Sequence, residues 1–253
     1  MSTIASGFKD ISLKPSGKAT LKLPKKFGAS EARGTIVELK TNNVPEKNLF
    51  LGLFDKKNSA KYITKATAKN YLKYVDKGLY DSSIFHLSVP GFVLQGGGFS
   101  APIVPSSRGG VPEEINDFGT VENQPGNSNV KGTVAMAKLG GQPDSATNQW
   151  FINLNNNPSL DSQNEGFTLF GKVLGDGMDV VEALSSAEVF NLGGVFSQLP
   201  LWSFPDSTVG VQPDDCLTID VARKLPAKDQ PFLVFVDSSD EDILTATVTK
   251  NRA

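Results

Sequence analysis

Three consecutive glycines, Gly96–Gly98, come near the end of the run Phe85–Phe99 (FHLSVPGFVLQGGGF), and no other feature of the chain limits its possible folds as much. Glycines behind a buried strand let the backbone bend and let neighbouring segments come closer than a side chain would permit. The stretch therefore reads as an interior strand of a tightly packed sheet. A nucleotide cradle is disfavoured, because the spacing is not G-x-G-x-x-G and Phe99 and Ser100 follow where a helix would have to start.

The rest of the chain also reads mostly as strands. Ala19–Leu23 and Thr35–Leu39 alternate apolar with polar residues, and Leu49–Phe54 is a short apolar run, which predicts an opening meander with a turn at Asn42–Glu46. Two helices interrupt it. The first is expected to start after Thr64 as N-cap, to bury a stripe of Ala68, Leu72 and Val75, and to end at Gly78 in a left-handed cap. The second, near Gly177 to Ser185, places Met178, Val181 and Leu184 on one side. Many strands and two helices fit a closed antiparallel barrel with plugged ends. Both termini extend past this core: the first thirty or so residues alternate Lys with apolar positions, and Pro231–Val248 reads as two strands, PFLVFV and ILTATV, around the acidic turn DSSDED. Neither extension carries a candidate site.

Composition removes several functional classes. The chain has 253 residues, 39% hydrophobic and 21% charged, enough for one large domain with appendages. A net charge of -2 gives no general attraction to nucleic acid. Charge is nonetheless uneven, with sixteen Lys/Arg against six Asp/Glu in residues 1–80 and nine against twenty-one in the remainder. This pattern fits either a solvated lysine-rich face or a surface for an acidic partner. Cys216 is the sole cysteine, so no intrachain disulfide forms. No apolar run is long enough to span a bilayer, and MSTIASGFKDIS lacks the regions of a signal peptide. A soluble chain is expected, cytoplasmic, or periplasmic or secreted after loss of a leader. His86 is the sole histidine, which excludes a His-based metal site and leaves a hydrolytic triad resting on that residue alone.

The run Phe85–Phe99 resembles the cyclophilin signature, F-H-R-x-x-P-G-F-x-x-Q-G-G-D/G-F. A second segment, Gly132–Phe151 (GTVAMAKLGGQPDSATNQWF), is similar to that family's G-T-I/V-A-M-A-R-x-x-x-x-x-S-A-T-x-Q-F-F. The following INLNNNPSLDSQNEGFTLFGKVLGDGMDVVEAL looks like the run from the pocket wall into the last helix, and VFNLGGVFSQLPL resembles an extension of bacterial members. The resemblance covers roughly Gly34 to Lys224. It implies a mainly β fold, a closed eight-stranded antiparallel barrel capped by two helices, here with extra N- and C-terminal strands. Residues 1–33 would form an N-terminal extension packed on the barrel, 34–225 the cyclophilin-like domain and 226–253 a C-terminal β extension. The implied activity is peptidyl-prolyl cis-trans isomerisation, acting on proline-containing peptides and on unfolded or partly folded proteins, with no cofactor, no nucleic acid and no membrane insertion.

By the same resemblance, Phe92, Val93, Phe151, Leu160 and Phe167 would hold the proline ring, with Phe92 and Phe151 as its strongest members. Gln95 and Gln149 would hydrogen-bond the substrate backbone, and Ala137–Lys138 would pair with the peptide through its main chain. His86 matches the family histidine; a packed structural role is its simpler reading. Ser159 stands where the cyclosporin-sensitive type carries tryptophan, so weak binding of that drug is expected. Leu87 occupies the position of the family's catalytic arginine and has no donor or charge to offer. Three consequences are open: slower catalysis by pocket and backbone alone, a donor supplied by Lys138 or Arg108, or a proline-binding module without turnover. A further reading makes the terminal extensions the functional part, an assembly or adhesion device on a borrowed barrel.

Overall fold

Alternation of apolar and polar residues along short strands resolves into a ring in the computed structural model, which describes residues 34–42, 48–57, 59–101, 112–203 and 210–225. The elements among them are β1 (Ile36–Thr41), β2 (Leu49–Leu53), α1 (Lys65–Asp76), β3 (Ser83–Val89), β4 (Val93–Ser100), β5 (Glu113–Glu114), β6 (Thr133–Met136) and β7 (Trp150–Asn153). They continue with β8 (Leu169–Val173), α2 (Gly177–Ser185), β9 (Glu188–Phe190), β10 (Leu199–Leu201) and β11 (Thr218–Lys224). The sheet runs β3-β11-β1-β2-β8-β6-β7-β4, and β3 also pairs with β4, so the eight strands close on themselves. Every pairing in the ring is antiparallel. The short β5 lies outside the ring on β4, and β9 and β10 form a separate pair. The closed eight-stranded barrel with two helices is thus as expected, while the proposed strands in residues 1–33 and 226–253 lie outside the described residues.

Strand alternation decides which side chains fill the barrel. Leu49, Leu51 and Leu53 of β2, Leu94 of β4, Val134 and Met136 of β6, and Trp150 and Ile152 of β7 are all buried in one cluster. The two helices plug it: α1 contributes Ala68, Tyr71, Tyr74 and Val75, and α2 contributes Val180, Val181 and Leu184. Each such large apolar side chain removed from water contributes roughly 1.5–3 kcal/mol. Tyr71 stands 4.9 Å from Phe170 and 5.9 Å from Trp150 between ring centroids, the second contact edge-on.

The face of α1 differs from the expected stripe. Leu72 is only partly buried, and Tyr71 and Tyr74 take the centre of the contact. The Tyr74 hydroxyl accepts from the Phe118 amide at 3.0 Å, whereas that of Tyr71 is buried with no partner among the described residues, its ring packing on Phe170 and Trp150 instead. Thr64 occupies the N-cap without a side-chain cap bond; its hydroxyl donates instead to the Leu169 carbonyl at 2.9 Å, tying the helix start to β8. The C-terminus is as expected. Gly78 has φ +66°, its amide donates to Val75 and that of Leu79 to Tyr74, the paired bonds of a Schellman motif.

The glycine triplet lies inside β4, and its middle member cannot be replaced without collision. Gly97 has φ +82°, and a β-carbon there would stand 2.6 Å from both the Asn148 carbonyl oxygen and Trp150 Nε1. A β-carbon on Gly98 would meet the Gln149 side-chain amide at 2.8 Å. The triplet lets β4 accept Trp150 on its inner side and Gln149 beside it.

Candidate active site

The outer face of the barrel carries a row of side chains set by strand register. Leu87 on β3 is paired with Gln95 on β4, Gln95 with Phe151 on β7, Phe151 with Ala135 on β6, and Ala135 with Leu169 on β8. A bulge makes the first of these pairings possible. Phe85 pairs with Gly96 and Leu87 with Gln95, so His86 is the extra residue that shifts Leu87 into the row. Around the row lies an apolar cluster separate from the barrel interior. Phe54, Val93, Ala135, Phe151, Leu160 and Leu169 are buried in it, and Leu87, Phe92, Ala137 and Phe167 pack against it half-buried. Phe151 and Phe167 meet edge-to-face at 5.7 Å. The structure therefore brings together Phe92, Val93, Phe151, Leu160 and Phe167, with Leu87 at one end of the row.

The polar side of the site is a chain of amides. Gln95 Nε2 donates to Gln149 Oε1 at 2.8 Å and lies 3.4 Å from His86 Nε2. Gln95 Oε1 has no partner among the described residues and can accept a peptide N–H. The Ala137 amide is already bonded to the Gln149 carbonyl at 2.9 Å, leaving the Ala137 carbonyl for a peptide strand. His86 is buried behind the row, edge-on to Phe99 at 4.9 Å. Burial pushes its pKa down from 6.5 to about 4. The ring is then neutral above about pH 5, so isomerase activity should show no inflection between roughly pH 5.5 and 8. Its folded pKa lies below its unfolded one, so the unfolded chain binds the extra proton and stability should fall as pH drops from 6.5 towards about 4. A pH series of denaturant melts checks both the direction and the window.

Lys138 does not reach the row as a free donor. Its ammonium donates to the carbonyls of Asn164 at 2.7 Å and Gly166 at 2.6 Å and sits 4.9 Å from the Phe167 ring centroid. Three acceptors hold the charge over the pocket wall, which removes it as a replacement for the absent guanidinium. Arg108, the other candidate, lies outside the described residues. Ser159 is exposed on a single 3-10 turn, Pro158–Asp161, next to buried Leu160.

A second set of residues escaped the sequence reading. Asn153 Nδ2 donates to Thr133 Oγ1 at 2.9 Å and to Asn129 Oδ1 at 3.1 Å, while its Oδ1 accepts from Asn157 Nδ2 at 2.8 Å. Asn157 Nδ2 also donates to the Phe92 carbonyl at 2.9 Å, and Asp161 accepts from Asn129 at 2.7 and 2.8 Å. This buried ladder links β7 to the turn carrying Leu160 and fixes the backbone of Phe92. The only sequence trace of it is the run NLNNNP, in which four asparagines precede a proline.

Among the described residues no group of three or more His, Cys, Asp or Glu is placed to hold a metal, and no helix is long and apolar enough to cross a membrane. An apolar cluster flanked by side-chain amides thus lies on an outer barrel face. Residues 36–200 match the family model of the cyclophilin type peptidyl-prolyl cis-trans isomerase/CLD. Peptidyl-prolyl cis-trans isomerase A of Dickeya dadantii is 33% identical over 167 residues, covering 65% of this chain and 77% of its own length. The peptidyl-prolyl cis-trans isomerase of Acinetobacter baylyi is 34% identical over 171 residues, 66% of this chain and 80% of its own. A Cryptosporidium parvum cyclophilin type peptidyl-prolyl cis-trans isomerase shares the fold with TM-score 0.50 and 20% identity, over 76% of this chain and 98% of that one. The same parasite protein has also been solved in the presence of the dipeptide Ala-Pro, with TM-score 0.50 and 18% identity, over 76% of this chain and 99% of that one. This chain belongs to the cyclophilin-type peptidyl-prolyl cis-trans isomerase family.

Proposed function

We propose that this chain accelerates rotation about Xaa-Pro bonds in peptides and in unfolded or partly folded proteins, with Phe92, Val93, Phe151, Leu160 and Phe167 receiving the proline ring. The observation that supports this most is the register placing Gln95 between Leu87 and Phe151 at the edge of the apolar cluster. Rotation must cross a barrier of roughly 18–20 kcal/mol that comes from amide conjugation, so the catalyst has to favour the twisted amide over both planar forms. No nucleophile is needed. The apolar cleft removes water from the amide, Gln95 and Gln149 hold the flanking backbone, and the Ala137 carbonyl pairs with it as an edge strand does.

Leu87 sets the limit on rate. With no donor at that end of the row among the described residues, the developing charge on the twisted amide is stabilised by desolvation and by the amides, so turnover is slower than an arginine would allow. The same residue favours the second reading, a module that holds proline peptides with little turnover. Exposed Ser159 offers no indole surface to a large cyclic ligand, so cyclosporin binds weakly. The test is a proline-peptide isomerisation assay on the wild type and Phe151→Ala. The wild type should exceed the buffer rate and the variant should fall back towards it. Equal rates for the wild type and buffer remove the enzyme reading, and a variant as fast as the wild type removes Phe151 from the site.

A further inference from the structure

Lysine recurs every four residues from Lys57 to Lys77, at 57, 61, 65, 69, 73 and 77. Lys65, Lys69 and Lys73 lie on α1 and Lys77 is its C-cap, all four exposed. This spacing stacks like charges along one side of a helix, which destabilises it. Nothing on the helix offsets them. Its first turn contains no acid, and its one carboxylate, Asp76, is held by Lys224 at 3.0 Å. The other ion pairs among the described residues are Lys131–Glu182 and Arg223–Glu38, so none of these four lysines has a carboxylate partner there.

The stripe borders a groove of about 300 Å³, lined by Ala66, Lys69, Asn70, Lys73, Thr120 and Val121. Lys73 is fixed on its wall, with its ammonium 4.0 Å from the Phe118 ring centroid. Asn70 donates to the Thr147 carbonyl at 2.6 Å, but its Oδ1 and the Thr120 hydroxyl have no partner among the described residues. The groove thus offers two cations, two polar groups suited to a peptide backbone, and apolar patches from Ala66 and Val121 with the lysine stems. It shares no residue with the row of Leu87, Gln95 and Phe151.

We propose that this groove is a second binding site, for an extended peptide segment carrying carboxylates at alternate positions. Lysines four apart on a helix rise about 6.0 Å, and alternate side chains on an extended strand rise about 6.4–6.8 Å, so one carboxylate meets each lysine. A nucleic-acid strand carries a charge about every 3.4 Å and would leave half its phosphates unmatched. Asp117 and Glu122, exposed on the segment that forms the other wall, further disfavour a dense polyanion or an anionic plane. A client with both an acidic tract and an Xaa-Pro bond would engage two sites, and that last use rests on the isomerase reading.

The binding claim is tested without proline. A fluorescein-labelled alternating Glu-Ser peptide of about twelve residues, with a Lys-Ser peptide as control, is titrated with the full chain and followed by anisotropy. Binding should saturate, weaken with salt over roughly 50–300 mM, and be about five- to tenfold weaker in Lys69→Glu. That substitution turns the like-charge pairs with Lys65 and Lys73 into opposite-charge pairs, so the thermal midpoint should hold or rise and unfolding cannot account for lost binding. The proposal is overturned if the Glu-Ser peptide binds no better than the control, or if Lys69→Glu leaves its affinity unchanged. It is equally overturned if oligo-dT or phosphatidylserine vesicles bind more tightly through the same lysine. A last contrary result would be uptake that appears only after Asp240, Glu241 and Asp242 are changed to serine, since the groove would then serve the chain's own acidic run. Loss of isomerase activity with peptide binding intact would sink the catalytic reading and leave this one standing.

Discussion

Leu87→Arg is expected to raise kcat/KM on a proline tetrapeptide by at least about tenfold. Leu87 faces Gln95 directly across the β3–β4 pairing and is half-buried at the end of the apolar cluster, so a longer side chain there can lie along the cleft with its head at the amide. Preorganised donors of this kind contribute a factor of about 10²–10³ elsewhere. A smaller gain, about tenfold, is set as the minimum here because Val89 and Phe92 would have to accommodate the guanidinium stem. Side-by-side assays of the two proteins give the answer. An unchanged rate would mean that another group already supplies the donor, or that the row does not turn substrate over.

Asn153→Ala should lower the unfolding free energy by about 3 kcal/mol, read from denaturant melts. Asn153 is fully buried, and its loss leaves Asn129 Oδ1, Thr133 Oγ1 and Asn157 Nδ2 each short of a partner. Every buried polar group so stranded costs about 1–3 kcal/mol, partly recovered by rearrangement or entering water. Function should follow through geometry. Asn157 also holds the Phe92 carbonyl, so the cleft loosens and KM should rise more than kcat falls. A melt within experimental scatter of the wild type would show that the ladder carries no load.

Much of the fold was legible because local signals and tertiary demand agreed. α2 occupies Gly177–Ser185 as its apolar spacing indicated, and Gly78 caps α1 where the pattern placed it. Disagreement arose where a side chain served a distant element. Thr64 looks like a cap, but its hydroxyl serves β8, and Leu72 fits the stripe, yet two tyrosines packed against neighbouring rings displaced it. In the site, the apolar positions came from the resemblance to the cyclophilin signature, and strand register holds Val93 and Phe151 in the cluster. The asparagine ladder was not legible. All but one of its bonds join residues 20 to 65 apart, and polar runs before a proline usually signal nothing more than a loop. Nor did spacing reveal the bulge at His86, which depends on how β3 and β4 meet. The lysine at 138 is a cation in sequence, but three nearby acceptors in space decide its use.

The most direct test of the central claim is exchange NMR on a proline tetrapeptide with catalytic amounts of the wild-type chain. Cross-peaks linking cis and trans resonances should appear within mixing times at which the free peptide, isomerising over about tens of seconds, shows none. They should vanish with Phe151→Ala. Peptide shifts without exchange would contradict the account, because the cleft would then hold proline and leave its amide bond no easier to turn.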